Sequence, residues 1–159
     1  MVILLCGGKG TGKTTKVKEL LKEANLPAFI YDVNNEYSEA PLPDIQSFLD
    51  QAVKKKNCAI VFEEATIFFS SKGRSEELLN ILVRSRHNKT FCILVFHSLR
   101  SIPVYILELS NYLILKYTAD NKTAVEAKYK DFPELINIFE EVQIQSESNF
   151  HYSEILNLL

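Results

Sequence analysis

Two spacings of hydrophobic residues run through this chain. Short unbroken apolar runs at 2–6, 28–32, 58–63, 91–97 and 111–117 predict buried strands, and the stretches between them carry apolar residues at helical intervals. Val17, Leu20, Leu21 and Ala24 form one stripe, closed by Asn25 and Pro27. A second comprises Ile45, Phe48, Leu49, Ala52 and Val53; Asp44 begins it after two prolines, and Lys54, Lys55 and Lys56 end it as a solvated helix terminus. A third starts at Ser75, buries Leu78, Leu79, Leu82 and Val83, and carries Arg84 and Arg86 to its end. Strands alternating with amphipathic helices predict an α/β fold in which helices cover both faces of a mainly parallel sheet.

Beyond residue 118 the pattern weakens. "TAVEAKYK" alternates like an edge strand, "DFPELINIFEEV" reads as a capped helix, and the stretch from Gln143 fits neither period. The expectation is one domain over 1–159, with the part from about 119 forming an edge hairpin, helix or interface arm. No repeat, low-complexity run or linker interrupts it.

Composition narrows the class only a little. With 159 residues, 47% hydrophobic and 24% charged, the chain suits a single globular core. A net charge of −2 argues against a basic coat for nucleic acid, although a local patch could still hold a polyanion. The longest apolar runs, "VILLC" and "CILVF", are too short to span a bilayer, so the expectation is a cytoplasmic protein without a membrane segment. Cys6, Cys58 and Cys92 lie in apolar runs whose spacing suggests neither disulfides nor a metal site.

The chemistry is concentrated in "CGGKGTGKTT". Gly7, Gly12, Lys13 and Thr14 satisfy G-x-x-x-x-G-K-[ST] between a strand and an amphipathic helix, the context that a phosphate-binding loop requires. Gly7, Gly8, Lys9, Gly10, Thr11 and Gly12 are expected to wrap backbone N–H groups around the phosphates of ATP. Lys13 would reach the β- and γ-phosphates, the Thr14 hydroxyl would ligate Mg²⁺, and Thr15 would touch the α-phosphate. "CAIVFEEAT" supplies two adjacent carboxylates where a buried strand ends and the chain turns, so that both can address the phosphate end of the sheet. Glu63 would hold the Mg²⁺ shell and Glu64 would orient the attacking water, an arrangement that favours hydrolysis over transfer to an acceptor.

These motifs, with four further stretches, resemble the FtsK/HerA superfamily of DNA-pumping ATPases, and within it the compact genome-packaging ATPases of membrane-containing viruses. The likeness covers roughly residues 1–118. It implies a three-layer P-loop NTPase of RecA/ASCE type with strand order 5-1-4-3-2. "FIYDVNNEYSE" resembles the second strand of that family, with Asp32, Glu36 and Tyr37 at its end. In "RHNKTFCILVFHS", Arg86 stands where the family has an arginine finger directed at a neighbouring subunit's nucleotide, with Arg84 as the competing candidate, and His97 stands where it has a γ-phosphate sensor, more often Gln. Such a finger is worth roughly 10³ to 10⁵ in rate. Arg100, in the segment after the sensor, is a weaker candidate for an interface charge. Relatives usually carry Asp where this chain has Glu63, whose longer reach leaves direct metal contact open.

The resemblance implies a homo-oligomeric ring, hexameric or pentameric, that translocates double-stranded DNA, in the host cytoplasm or with the virion. Its DNA contacts are expected in "FFSSKGRSEE", where Ser70, Ser71, Lys72, Gly73 and Arg74 offer hydroxyls, positive charge and a flexible glycine. A loop motif beginning at residue 7 further suggests a bare motor, anchored by a capsid vertex or membrane protein. Two other classes fit the loop alone: a small nucleotide or nucleoside kinase, and a nucleotide-dependent assembly switch.

Overall fold

The structure, a computed structural model, describes residues 1–37, 42–69 and 71–158. Among them the elements run β1 (Val2–Cys6), α1 (Lys13–Ala24), β2 (Ala28–Tyr31), α2 (Ile45–Ala52), β3 (Ala59–Phe62), α3 (Lys72–Asn88), β4 (Phe91–Phe96), α4 (Val104–Leu109), β5 (Tyr112–Lys116), α5 (Lys122–Lys128), α6 (Pro133–Ser146) and β6 (Ser153–Asn157). Short 3₁₀ turns occupy Ala65–Phe69 and Leu99–Ser101. The fold is a three-layer α/β arrangement on a mainly parallel sheet ordered β2-β3-β4-β1-β5-β6. The expected order of the first five strands is therefore found, with β6 added outside β5.

The chain divides into two compact units, residues 1–2 with 14–95 and residues 3–13 with 96–159. In the first, β2, β3 and β4 pair in parallel, with Tyr31 opposite Phe62 and Phe62 opposite Leu94 at their C-terminal ends. Strands β3 and β4 are buried at every position, as unbroken apolar runs covered on both faces should be. An aromatic cluster fills the core beside them: Phe62 and Phe68 meet edge to face at 5.2 Å, and Phe48 contacts both Tyr31 and Phe62. Helix α2 starts where Asp44 accepts a hydrogen bond from the Ser47 amide at 3.0 Å, and α3 ends at Lys89 in the left-handed conformation.

Helix α3 begins three residues earlier than its apolar stripe predicts. Ser71 occupies the cap position, and the Ser75 hydroxyl donates to the carbonyls of Ser71 and Lys72 inside the first turn. Lys72, Gly73 and Arg74 are thus helical, which corrects the expectation of a flexible loop there; Ser70 lies outside the described residues.

In the second unit β1 and β5 pair in parallel, and β6 returns antiparallel along β5 with Lys116 opposite Ser153. "TAVEAKYK", expected as an edge strand, contains helix α5 instead. Asn121 caps it by accepting from the Ala124 amide at 3.2 Å, and Val125 and Tyr129, four residues apart, are both fully buried. A helical spacing of large side chains outweighed the alternating pattern. The Tyr129 hydroxyl donates to the carbonyls of Leu99 and Ile102, tying α5 to the turn after β4. The helix expected over "DFPELINIFEEV" is α6, with Pro133 in its first turn, and it continues to Ser146; the expected side-chain cap is not formed, since Phe132 holds the N-cap position.

Candidate nucleotide-binding site

The phosphate loop belongs to the second unit up to Lys13. Its base is pinned by two backbone bonds, from the Gly7 amide to the Phe96 carbonyl at 3.1 Å and from the Gly8 amide to the Tyr117 carbonyl at 2.6 Å. The buried Thr11 hydroxyl donates to the Gly8 carbonyl at 2.9 Å, and the Lys13 ammonium reaches the same carbonyl at 2.9 Å. Gly10 and Gly12 have φ of +79° and +84°, a region that favours glycine. At Gly7 a Cβ would stand 2.7 Å from Thr11 Oγ1 and 2.8 Å from Lys116 Cβ. Small residues are therefore required at these positions, and Lys9 and Gly10 at the crest are exposed.

This cradle fits a polyphosphate: a tight glycine turn opens onto the N-terminus of α1, with a lysine folded across it. Residues distant in sequence border it. The carbonyl of His151 accepts from the ammonium of the buried Lys116 at 2.9 Å, and a Cβ at Gly12 would lie 3.3 Å from His151 Nδ1. Phe150 lies 3.8 Å from the corresponding point at Gly10. Neither residue was anticipated from the sequence, which offers only an ambiguous polar stretch there.

At the end of β4, His97 is exposed, and Ser98 and the Leu99 amide both donate to Asp120, at 2.6 and 2.7 Å. Arg100 is exposed in the following turn, where its carbonyl accepts from Lys128.

The first unit holds the carboxylates. Asp32, buried just after β2, accepts from the amides of Glu36 and Tyr37 at 2.8 and 2.9 Å and so shapes the turn between them. Two contacts issue from that turn. Glu36 accepts a hydrogen bond from the Thr14 hydroxyl, and the Tyr37 hydroxyl donates to the carboxylate of Glu63, which is 5% exposed. Burial, followed by the bond to Glu63 and the charges of Glu63, Glu36 and Asp32, pushes the Tyr37 phenol well above its ordinary range. It therefore stays a proton donor to Glu63. Glu64 follows in the left-handed conformation, φ 53°, half-buried, and its carbonyl accepts from the Ile67 amide.

Asp32, Glu36, Thr14 and Glu63 are thus gathered into one network, in which Tyr37 is the member that sequence reasoning mentioned without giving it a role. The hydroxyl of Thr14 and the carboxylate of Glu63 are hard oxygen donors of the kind that suit Mg²⁺. Thr15 is exposed on the first turn of α1. The basic candidates on α3 do not form one patch. Lys72 and Arg74 sit in its first turn, with Lys72 3.8 Å from Glu76, whereas Arg84 and Arg86 are exposed toward its other end, roughly 18 Å of helix rise from Lys72 to Arg84.

A loop of this sequence and shape between β1 and α1 of a parallel sheet defines a nucleotide-binding P-loop protein. The chain belongs to the AAA family, the ATPase family associated with various cellular activities, whose model matches residues 3–117. No curated protein sequence matches it. Its fold is similar to that of the genome packaging NTPase B204 from Sulfolobus turreted icosahedral virus 2: in the complex with ATP-gammaS the TM-score is 0.72 at 18% identity, over 99% of this chain and 91% of that one. The AMPPCP complex gives a TM-score of 0.74 at 18% identity over 99% and 92%. For B204 of Sulfolobus turreted icosahedral virus, described as a DNA-packaging ATPase, the TM-score is 0.68 at 16% identity over 99% and 92%. Among the described residues, no helix is long and apolar enough to cross a membrane.

Proposed function

We propose that this P-loop ATPase is a motor of FtsK/HerA type that uses ATP to drive double-stranded DNA into a viral capsid, working as a homo-oligomeric ring. The observation that carries this reading is the likeness of the whole chain, C-terminal elements included, to a packaging NTPase. Lys13 and the loop amides bind the β- and γ-phosphates, and Thr14 and Glu63 would hold Mg²⁺, which when bound neutralises charge developing on the phosphate oxygens. Glu64 orients a water and accepts its proton as the water oxygen attacks the γ-phosphorus and the bond to the β–γ bridging oxygen breaks. His97 senses the γ-phosphate.

Exposed Arg86 at the end of α3 is assigned to the neighbouring subunit's nucleotide, where a guanidinium spreads charge over the γ-phosphoryl oxygens; Arg84 and Arg100 are secondary candidates for that interface. Lys72 and Arg74, at the other end of the same helix, are assigned to DNA phosphates, with salt-sensitive and sequence-independent binding. A capsid vertex or membrane protein would anchor the ring.

The test is phosphate release measured against protein concentration, with and without long double-stranded DNA at low salt. Specific activity that climbs steeply with concentration and climbs further with DNA is expected of a composite site in a DNA-driven ring. Flat turnover indifferent to DNA overturns the motor reading.

A further inference from the structure

The second unit presents an aromatic surface beside the phosphate loop that the hydrolytic reading leaves unused. Phe150 is 45% exposed, one of the large apolar side chains kept out of the core. Its ring pairs with that of Tyr117 at 5.6 Å and lies next to that of His151 at 6.2 Å. All three border the loop. The Tyr117 carbonyl accepts from the Gly8 amide, Phe150 stands in van der Waals range of a Cβ placed at Gly10, and His151 approaches Gly12.

This surface is held in place from beneath. The ammonium of Lys116, itself 5% exposed, donates to the His151 carbonyl, and the Asn149 side chain accepts from the His151 amide at 3.1 Å. The Tyr152 amide closes the turn on the Asn149 carbonyl at 2.9 Å, immediately before β6 locks into register with β5. A ring with an open face, set beside Gly10 of the loop that holds phosphates, is placed to stack a planar ligand joined to those phosphates.

We propose that Phe150, backed by Tyr117 and flanked by His151, is the nucleobase subsite of this ATPase. The C-terminal turn at 149–152 is then part of the nucleotide site and sets how tightly the base is held. Stacking favours the larger face of a purine over a pyrimidine. The inference rests on residues 7–15 binding the phosphates, and it does not depend on DNA or on a ring.

The experiment compares binding of ATP and of inorganic tripolyphosphate to the full chain by calorimetry. Phe150→Ala should weaken ATP roughly 5- to 100-fold, the loss expected for one base–aromatic stack, while tripolyphosphate affinity stays within about twofold. Phe150→Tyr should restore ATP affinity and Phe150→Leu, which keeps apolar bulk without a π-face, should not; this pair decides the question if the alanine variant folds poorly. Unchanged ATP affinity in Phe150→Ala and Phe150→Leu overturns the subsite, as does equal weakening of both ligands, which would make the ring a mere support of the loop. Failure of the unaltered chain to bind tripolyphosphate would overturn the phosphate-loop reading and this proposal with it, so the two failures are read on different ligands.

Discussion

Two short turns carry candidate site side chains, one in each unit, and they are built in opposite ways. The turn after β2 is organised locally: Asp32 collects the amides of Glu36 and Tyr37, residues four and five positions ahead, and from that base Glu36 meets Thr14 and Tyr37 meets Glu63. The turn before β6 also has local bonds, from the His151 and Tyr152 amides to Asn149, but its place beside the loop is set remotely, by Lys116, 35 residues before His151, and by the antiparallel register of β6 on β5. A short-range hydrogen-bond pattern writes itself into neighbouring residues, whereas a position set by strand register leaves almost no local trace.

The contrast can be attacked by mutation, and the largest effect should come from the carboxylates. Glu64→Gln is expected to lower turnover by about 10² to 10⁴ with ATP binding retained, as removal of a general base should; undiminished phosphate release would take that role from Glu64. On the loop, Gly7→Ala forces a Cβ to 2.7 Å from Thr11 Oγ1 and 2.8 Å from Lys116 Cβ. ATP affinity should fall by roughly tenfold or more and stability by about 1–3 kcal/mol, checked by calorimetry and denaturant melts. Wild-type binding would mean that the loop yields where it looks rigid.

A smaller change is expected from Tyr37→Phe, which leaves the buried Glu63 carboxylate short of one donor and should cost about 1–3 kcal/mol of stability in urea titrations. If instead stability is unaltered, the turn is held by Asp32 alone. The smallest effect belongs to Gly73→Ala. A Cβ there meets nothing within 4 Å in the first turn of α3, so the variant should be more stable by roughly 0.5–1 kcal/mol and retain DNA-stimulated turnover. Loss of DNA stimulation would revive the flexible glycine loop that the helix displaces.

Legibility followed the same division. Continuous apolar runs placed five strands to within a residue, since a run of four to six apolar residues between polar stretches is long enough for a buried strand and too short for a buried helix. The G-x-x-x-x-G-K-T pattern located the loop because each of its positions answers a local steric or hydrogen-bonding demand. The misreading of "TAVEAKYK" arose from small alternating residues, whose period is settled only by what Val125 and Tyr129 bury against. The early start of α3 had a similar cause: Lys72 and Gly73 carry no apolar periodicity, and Ser75, a good cap by type, spends its hydroxyl inside the turn. Phe150 and His151 could not have been found without the register of β6.

The cysteines turn this architecture into a clock. Cys6, the residue before Gly7, is fully buried, and burial above all, with the charge of Asp120, pushes its thiol far above the ordinary range against the opposing pull of Lys13; Cys92 is pushed up to about 11, chiefly by burial. Neither presents a thiolate to a reagent in the closed fold. Alkylation of Cys6 can proceed only as fast as the end of β1 comes loose, so its rate in excess reagent counts those openings, and a nucleotide gripped across the loop should slow the count in proportion to its binding.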